Sequence, residues 1–316
     1  MKLFTYSLPV FPSSHPRTAV EVTEGNLLDI NMAASKLLSD DGFDNHDELA
    51  SVLAPSNMEG IIYSWGYAKN FIKRALNQKI ESFTDQTRIL FNISEVRLLP
   101  PLLRPRRIHD FLVGKTHIQN SLGNKIPENW YKFPVAYKGN PDSIFGPEDK
   151  IKKPKYTKKL DYELELGLVI GKKGIDIEKE KADQYIFGYT IFNDFSARDI
   201  QFEEMSVGLG PFKGKDFATS IGPCIVTADE VNPTKINMKA KVNGEKWSDG
   251  YLNDMQFSFE EIISHLSDEE YIFPGDLIGS GTIGRGCGLE LGKTIDVGDV
   301  VELSAEKIGI LRNYIV

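Results

Sequence analysis

Apolar and acidic side chains alternate along residues 160–170, and this alternation is the clearest pattern in the chain. The apolar positions are Leu160, Tyr162, Leu164, Leu166, Leu168 and Ile170. Asp161, Glu163 and Glu165 occupy the positions between them. Because successive side chains of a β-strand point to opposite faces, the pattern predicts one strand with an apolar face and an acidic face.

The acidic face of this predicted strand brings like charges together. Glu163 and Glu165 would lie about 7 Å apart along an extended chain. Two unit charges at about 4 Å cost roughly 4 kcal/mol at an effective dielectric near 20, so a half-buried pair needs a bound cation, a basic partner or a proton. The alternative is an exposed face screened by water, because Glu-x-Glu is a weak motif and Lys158 and Lys159 lie nearby. The strand alone leaves both interpretations open.

The first 95 residues predict a small mixed α/β module. Strand-like segments at residues 19–22 and 27–30 flank a turn and are followed by helical spacing. Residues 57–79 predict one amphipathic helix whose apolar stripe packs into the core. Prolines clustered between residues 97 and 105 remove backbone donors and favour an extended connector. We therefore predict one domain of residues 1–95 and a second of residues 96–316, which begins with this connector.

The second domain predicts short strands with few helices. Residues 185–193 and 222–228 read as strands, and residues 235–247 predict a hairpin around an Asn243-Gly244 turn. Ser258 and Glu261 have the spacing of a capping box that opens a helix over residues 259–266. The same spacing at Ser196 and Asp199 predicts a second capping box and places Asp194 at a strand-to-helix turn.

Composition excludes several classes of function. The 316-residue chain has a formal net charge of −8, so nucleic-acid binding is not expected, although an anionic small molecule can still be held locally. Cys224 and Cys287 lack CxxC spacing and are too few for a disulfide framework, which fits a reducing compartment. The first ten residues lack the apolar core of a signal peptide, and no apolar stretch approaches bilayer length. We expect a cytoplasmic protein that binds no membrane.

Several motifs follow one another in the second domain. Glu163-x-Glu165 is followed by Asn193-Asp194-x-Ser196-Ala197-Arg198-Asp199-x-Gln201, by Gly214-Lys215-Asp216-Phe217-x-Thr219-Ser220-x-Gly222-Pro223, and by Gly281-Thr282. This succession resembles the fumarylacetoacetate hydrolase family over about residues 95–310. The resemblance implies a β-rich α+β fold, in which a fumarylacetoacetase-like mixed β-roll surrounds a metal and follows a small mixed α/β N-terminal domain. It also implies a homodimer.

Carboxylates bind the metal in that family, and the resemblance assigns this role to Asp110, Glu163, Glu165 and Asp194. Four carboxylates suit a hard divalent cation better than zinc, which favours His and Cys. We expect Mg²⁺ as the cofactor, with Ca²⁺ or Mn²⁺ as alternatives.

The resemblance also changes the interpretation of His117. A single His is more often a satisfied core or surface group than a base. The family match assigns His117 as the catalytic base, Glu290 as the acid that orients it, and Lys215 as a further catalytic residue. Substrate-contacting positions match Tyr137, Arg198, Gln201 and Thr282.

The chain departs from fumarylacetoacetases at two such positions. Leu112 and Met205 stand where those enzymes carry tyrosines, and the Arg that follows their catalytic His by nine residues has no clear counterpart. Both lost hydroxyls would contact the acid end of the substrate, which speaks against fumarylacetoacetate itself.

These features predict a metal-dependent hydrolase that cleaves a carbon–carbon bond in a β-diketo or acylpyruvate-type acid, a small anionic oxo acid of the kind met in aromatic catabolism. His117 and Glu290 would activate water while the metal stabilises an enolate. The alternatives are a 2-oxo acid decarboxylase, a tautomerase or isomerase, and a hydratase of the same superfamily. A non-catalytic protein that keeps the metal site is a further alternative, but a structural cation needs no base such as His117.

Overall fold

The computed structural model describes residues 1–9, 15–79 and 87–316, so the end of the N-terminal segment inspected for a signal peptide lies outside the described residues. The chain forms two compact units, Met1–Leu102 and Leu103–Val316. The division falls inside the proline-rich connector of residues 97–105. The connector strand Arg97–Leu99 pairs with the strand Lys2–Ser7, which places it in the first unit.

The first unit combines an antiparallel sheet with helices. Its strands are β1 Lys2–Ser7, β2 Arg17–Thr23, β3 Asn26–Asp29, β4 Leu90–Asn92 and β5 Arg97–Leu99. Within this unit they follow the order β4-β3-β2-β1-β5. Its helices are α1 Ile30–Asp40, α2 His46–Leu53, α3 Met58–Tyr63 and α4 Trp65–Gln78. The strands predicted at residues 19–22 and 27–30 correspond to β2 and β3, and the helices follow them as expected, whereas β1 and β4 were not predicted.

The single helix predicted over residues 57–79 is wrong, because the chain forms α3 and α4 with a break at Ser64. Ser64 has φ −95° and ψ 14°, and its hydroxyl donates to the carbonyl oxygen of Gly60 at 2.9 Å. A serine hydroxyl bonded to the backbone four residues earlier competes with helical geometry. The apolar stripe still packs inward, since Ile61, Phe71 and Ile72 are buried.

The second unit is strand-rich. Its strands are β6 Ile108–Phe111, β7 Ala136–Lys138, β8 Ile144–Phe145, β9 Lys150–Ile151, β10 Leu160–Asp161, β11 Glu165–Ile170, β12 Ile186–Asp194, β13 Ser196–Ala197, β14 Thr219–Thr227, β15 Asn237–Val242, β16 Glu245–Tyr251, β17 Leu277–Gly279, β18 Val300–Ala305 and β19 Gly309–Ile315. Its α-helices are α5 Lys115–Leu122, α6 Arg198–Met205, α7 Phe259–Leu266 and α8 Gly288–Leu291. These elements confirm the predicted β-rich α+β class.

The strands of this unit form a mixed sheet and two smaller ones. In the mixed sheet the order is β14-β12-β11-β17-β6-β7, and β8 pairs in parallel with β14. The pair β17–β6 is parallel, whereas β11 is antiparallel to both β12 and β17. A second sheet has the order β16-β15-β18-β19-β9, and β10 pairs with β13. The central strand β11 is buried along its whole length.

The stretch over residues 160–170 is not the single strand that its alternation predicts. It forms β10 and β11, separated by Tyr162, Glu163 and Leu164, and Glu163 makes an isolated bridge with Cys287. Every residue of the stretch is buried, so no face of it is exposed to water. The exposed-face interpretation of its carboxylates is therefore wrong.

One turn and two capping boxes were predicted in the second unit, and the structure confirms the turn and one of the capping boxes. The Asn243-Gly244 turn joins β15 to β16 as predicted, and the Ser258 capping box opens α7. The capping box predicted at Ser196 and Asp199 is wrong. The Ser196 hydroxyl donates to the Asp194 carbonyl, and Asp199 accepts bonds from the Thr157 hydroxyl and the Lys158 amide.

Within the described ranges, none of the helices combines the length and apolar character that crossing a membrane requires.

Candidate active site

Neighbouring strands of the mixed sheet carry the acidic residues of the site. Asp110 lies in β6, Glu165 begins β11, Asp194 ends β12, and Glu163 comes just before β11. Each of the four residues is at most 5 % exposed. Because β6, β17, β11 and β12 are adjacent, their acidic residues meet on one side of the sheet.

Gly279 of β17 makes the close approach of two carboxylates possible. It is the cross-strand neighbour of Asp110. A Cβ atom at this position would overlap Asp110 Oδ1 and lie 3.0 Å from Glu165 Oε2. The glycine therefore leaves the space into which both side chains extend.

Three of the predicted metal ligands form a tight cluster. One carboxylate oxygen from each of Asp110, Glu163 and Glu165 lies within 4.8 Å of the other two. Asp194 is outside this group, but burial and then the negative charge of Asp194 raise the pKa of Asp110 well above its usual range. Burial, followed by the charge of Asp110, likewise raises the pKa of Glu165. The cluster holds more acid than its surroundings neutralise.

The chemistry of this cluster fits a divalent cation. Asp110 Oδ1 and Asp194 Oδ1 are buried, and neither has a hydrogen-bond partner among the residues that the structure describes. Buried polar atoms are normally hydrogen-bonded, so such oxygens call for a ligand. Carboxylate oxygens are the ligands that Mg²⁺, Ca²⁺ and Mn²⁺ prefer.

Two cationic side chains neutralise part of the cluster through Glu163. Lys215 Nζ donates to Glu163 Oε2 at 2.8 Å and also contacts Asp194. Arg198 Nη1 lies 2.7 Å from Glu163 Oε1. Burial alone would raise the pKa of Glu163, but the charges of Lys215 and Arg198 lower it below its usual range. The guanidinium of Arg198, predicted to contact the substrate, is thus already engaged by a carboxylate.

His117 and Glu290 form a hydrogen-bonded pair. His117 lies in α5 and Glu290 in α8, and His117 Nδ1 is 2.9 Å from Glu290 Oε2. Glu290 Oε1 also accepts bonds from Asn120 Nδ2 at 2.8 Å and from the Arg285 amide at 2.9 Å. Burial would raise the pKa of Glu290, but the bond from His117 and these other donors lower it.

The ionised state of Glu290 decides the tautomer of His117. An ionised carboxylate can only accept hydrogen bonds, so we assign the proton of the imidazole to Nδ1. Nε2 is then an acceptor and can take a proton. The pair has the relation of a base to the carboxylate that orients it.

Cys287 lies beside this pair and could in principle complete a second metal site with it. Its Sγ is 3.4 Å from Glu290 Oε2. Burial raises the pKa of the Cys287 thiol well above its usual range. Since a metal binds the thiolate, a thiol that stays protonated is a poor ligand. The oxygen cluster is the better cation site.

His117 and the acidic cluster face one cavity of about 290 Å³. All predicted site residues except Asp194 and Glu290 line it. The lining members are Asp110, His117, Tyr137, Glu163, Glu165, Arg198, Gln201, Lys215 and Thr282. Asp194 accepts a bond from the Tyr137 hydroxyl at 2.6 Å, and Glu290 supports His117 from behind. The structure therefore brings the predicted residues together, while their individual roles stay predictions.

The family of the chain follows from comparison with known proteins. The model of the fumarylacetoacetate (FAA) hydrolase C-terminal family matches residues 107–316. The chain belongs to the fumarylacetoacetate hydrolase family. The match covers nearly all of the second unit, including every residue of the candidate site.

Among curated members of the fumarylacetoacetate hydrolase family, the oxaloacetate tautomerase YisK of Bacillus subtilis is 33% identical over 229 residues. The alignment covers 72% of this chain and 75% of YisK. Proteins similar to this chain include a fumarylacetoacetate hydrolase and an oxaloacetate tautomerase, so the family is one of enzymes.

Solved structures of fumarylacetoacetate hydrolase family proteins share the fold over the whole chain. The fumarylacetoacetate hydrolase of Exiguobacterium antarcticum has a TM-score of 0.73 and 27% identity, and the comparison covers 100% of this chain and 99% of that one. Maleylpyruvate hydrolase of Sphingobium sp. SYK-6, solved with manganese(II) and pyruvate, has a TM-score of 0.72 at 20% identity, with 100% and 99% covered. The predicted family and fold are confirmed.

The departures from fumarylacetoacetases within the family lie in the cavity itself. Leu112 and Met205 both line it. Further apolar lining comes from Ile118, Leu122, Val135, Phe202, Pro211 and Leu289. The cavity therefore has a charged end at the acidic cluster and an apolar wall.

Sequence reasoning missed two residues of the site. Asn120 supports Glu290, and its position three residues after His117 on a helix was a usable signal, since residues three apart share a helix face. Asp161 was placed on the acidic face with Glu163, but its carboxylate accepts bonds from the backbone amides of Gly288 and Leu289. No local signal separated Asp161 from the cluster.

Proposed function

We propose that this protein is a hydrolase that cleaves a carbon–carbon bond in a β-diketo acid of the acylpyruvate type. The observation that carries the proposal is the 2.9 Å bond between His117 Nδ1 and Glu290 Oε2, with His117 facing the same cavity as the acidic cluster. A cation site that only stabilised the fold would need no oriented base. A hydrolase needs one to activate water.

Asp110, Glu163 and Glu165 would hold a divalent cation, with Asp194 beside them. The buried oxygens without partners and the raised pKa values of Asp110 and Glu165 support this assignment. Mg²⁺ is our first choice, and the manganese ion in maleylpyruvate hydrolase supports a cation of this class. When bound, the cation supplies Lewis acidity to the oxygens of a diketo acid.

His117 would act as the general base. With its proton on Nδ1, directed to Glu290, the ring offers Nε2 to a water molecule in the cavity. As Nε2 takes a proton from water, the water oxygen bonds to the acyl carbonyl carbon. The bond between this carbon and the neighbouring methylene then breaks, and its electron pair passes to the pyruvyl fragment as an enolate. His117 Nε2 then returns its proton to the methylene carbon, which gives pyruvate, and the acyl group leaves as a carboxylic acid.

Lys215 would stabilise the negative charge that develops in this step. Its ammonium group lies at the cavity wall between Glu163 and Asp194, and these carboxylates raise its pKa although burial alone would lower it. Lys215 therefore stays charged at neutral pH. A fixed positive charge beside the developing enolate is the electrostatic arrangement that lowers such a barrier.

The apolar wall supports an uncharged acyl group on the substrate. Arg198 and Lys215 are the cationic lining residues among those described, and both lie at the charged end, paired with carboxylates. A second carboxylate placed against Leu112 and Met205 would lose its hydration without gaining a partner. We therefore expect acylpyruvates with aliphatic or aromatic acyl groups to be better substrates than diketo acids with an acidic tail.

Labelled water tests the reaction directly. The magnesium-loaded protein would be incubated in H₂¹⁸O with acylpyruvates of increasing acyl length, a diketo acid with an acidic tail, and oxaloacetate. We expect the heavy oxygen in the released acyl carboxylate and pyruvate as the second product. Failure of every diketo acid to yield labelled acid would contradict the proposal.

A second candidate is tautomerisation of oxaloacetate, favoured by the 33% identity to the tautomerase YisK. The same base could move a proton between carbon and oxygen without consuming water. Rapid enol–keto conversion of oxaloacetate, with no labelled acid from acylpyruvates, would establish this reaction instead. Release of carbon dioxide would identify a decarboxylase.

A variant of His117 tests the assignment of the base. We expect His117→Ala to lower kcat by about 10²–10⁴-fold. His265→Ala is the matched control, because His265 lies in α7 and does not line the cavity. Equal turnover in the two variants would rule out His117 as the base.

A further inference from the structure

Asp161 is a buried carboxylate that takes no part in the acidic cluster. It ends β10, is 1 % exposed, and is not among the residues that line the cavity. Its oxygens accept bonds from the Gly288 amide at 2.7 Å, the Leu289 amide at 3.0 Å and Arg198 Nε at 2.8 Å. The Asp161 carboxylate therefore has several donors, and none of them is His117 or a carboxylate of the acidic cluster.

The donors to Asp161 come from two parts of the active site, the α8 backbone and the Arg198 guanidinium. Gly288 and Leu289 are the first residues of α8, whose next residue is Glu290. Arg198 also lies 2.7 Å from Glu163 in the acidic cluster. One carboxylate therefore connects the segment that orients His117 to the cluster that would hold the cation.

The contact with α8 is close enough to exclude any side chain at Gly288. A Cβ atom there would lie 2.5 Å from Asp161 Oδ1 and 2.6 Å from the carbonyl oxygen of Lys293. The backbone of α8 is consequently held directly against Asp161. Two successive backbone amides of α8 bond to the same carboxylate, so this contact limits how far α8 can shift.

We infer that Asp161 is a positioning residue, which fixes the α8 backbone so that Glu290 meets His117 Nδ1. The inference rests on the proposed role of the His117–Glu290 pair, but the placement of Glu290 can be measured without turnover. Outer partners of functional residues typically change activity by about 10–100-fold when they are replaced.

The test compares Asp161→Asn with Asp199→Asn in the full-length protein. Asp199 is the matched control, because its carboxylate likewise accepts two backbone amides, from Lys158 and Ile200, together with the Thr157 hydroxyl, and none of these donors belongs to α8. Asparagine keeps the size of the side chain but presents an NH₂ group to one of the donors. Spectra of ¹⁵N-histidine-labelled protein, assigned with His117→Ala, report which ring nitrogen of His117 carries the proton.

We expect wild type and Asp199→Asn to hold His117 as the Nδ1–H tautomer, and Asp161→Asn to show a mixture of tautomers. On an acylpyruvate, Asp161→Asn should lower kcat by about 10–100-fold with KM changed less than about threefold. An Asp161→Asn protein with a wild-type tautomer and wild-type kcat would overturn the inference. Equal losses in both variants would also overturn it, since they would indicate general destabilisation.

Gly288→Ala approaches the same contact from the other side and serves if Asp161→Asn does not fold. The added methyl group should push α8 away from Asp161 without removing a charge. Loss of the Nδ1–H tautomer supports the inference, and its retention with full kcat contradicts it. A wild-type protein with the Nδ1–H tautomer but no turnover would refute the proposed hydrolase function while leaving the role of Asp161 standing.

Discussion

Asp29 in the first unit and the acidic cluster in the second both bury carboxylates, yet the two networks differ in how completely they are neutralised. Asp29 is 0 % exposed and accepts bonds from the Tyr6 hydroxyl at 2.7 Å, Arg17 Nε at 2.5 Å and Nη2 at 2.9 Å, and the Met32 amide at 2.8 Å. One acid thus meets one guanidinium and two further donors. The network is complete without any ligand.

The cluster in the second unit is left incomplete by comparison. Asp110 and Asp194 each keep a buried oxygen that has no partner within the described part of the chain, and the pKa values of Asp110 and Glu165 are raised. A buried acid is therefore not a functional signal by itself. The informative feature is a buried acid whose charge the protein does not balance.

The largest effect should follow from breaking the complete network. Asp29→Ala would leave the half-buried Arg17 and the buried Tyr6 hydroxyl without this acceptor and would remove the N-cap of α1. Removing one partner of a buried pair typically lowers the free energy of unfolding by about 3–5 kcal/mol. Urea unfolding followed by circular dichroism measures this loss.

Asp40→Ala is the matched control in the same unit. Asp40 pairs with Lys36 on α1, but its side chain is 47% exposed. Exposed pairs contribute about 1 kcal/mol or less. If Asp29→Ala lost no more stability than Asp40→Ala, the Asp29 network would not be the structural ion pair described above.

The incomplete network should respond to neutralisation in its affinity for a cation. Glu165→Gln removes one carboxylate ligand, and we expect divalent-cation binding to weaken about 100-fold, which corresponds to about 2.7 kcal/mol. Titration calorimetry with Mn²⁺ measures the change. Asp29→Asn removes an acid from the other network and should leave the affinity unaltered. A cation affinity that falls equally in both variants would remove the distinction between the networks.

The pH dependence of stability should also separate the networks. A carboxyl whose pKa is raised on folding contributes stability that is fully present below its unfolded value, about 4, and is lost as pH rises through the raised value. The metal-free protein should therefore lose stability with rising pH because of Asp110 and Glu165, by at most about 1.4 kcal/mol per pH unit for each proton. Thermal melting from about pH 5 to about pH 9 should show a steeper fall for wild type than for Glu165→Gln.

Saturating Mg²⁺ should remove this difference between wild type and Glu165→Gln, because a bound cation offsets the repulsion between the carboxylates. If the stability of the two metal-free proteins fell equally with rising pH, the repulsion between Asp110 and Glu165 would not destabilise the folded protein.

Elements set by nearby residues were predictable from the sequence. The turn at Asn243-Gly244 and the helix opened by Ser258 depend on neighbours within a few positions, and both were placed correctly. The cluster ligands were recognised because Glu163 and Glu165 belong to an ordered set of family motifs. Their unbalanced charge, however, is a property of the folded sheet.

Features that depend on distant residues were not predictable. Ser196 and Asp199 have capping-box spacing, but the hydroxyl of Thr157, 42 positions earlier, donates a hydrogen bond to the Asp199 carboxylate. Asp161 alternates with Glu163 and Glu165, yet its partner Gly288 is 127 positions away. A carboxylate in the same local pattern can therefore cap a helix, hold a distant backbone segment or bind a cation, and its tertiary contacts decide which.

The smallest effect is expected at the cysteines. Burial is the main cause that raises the pKa of Cys287; the charge of Arg198 lowers this pKa, and the charges of Asp161, Glu163 and Glu290 raise it. The thiol should stay protonated, so iodoacetamide should label neither Cys287 nor the equally buried Cys224 until the protein is unfolded. Mass spectrometry of labelled peptides measures this. Rapid labelling of Cys287 alone in the folded, metal-free protein would reveal a thiolate beside His117 and Glu290, and it would contradict the argument that excludes this group as a metal site.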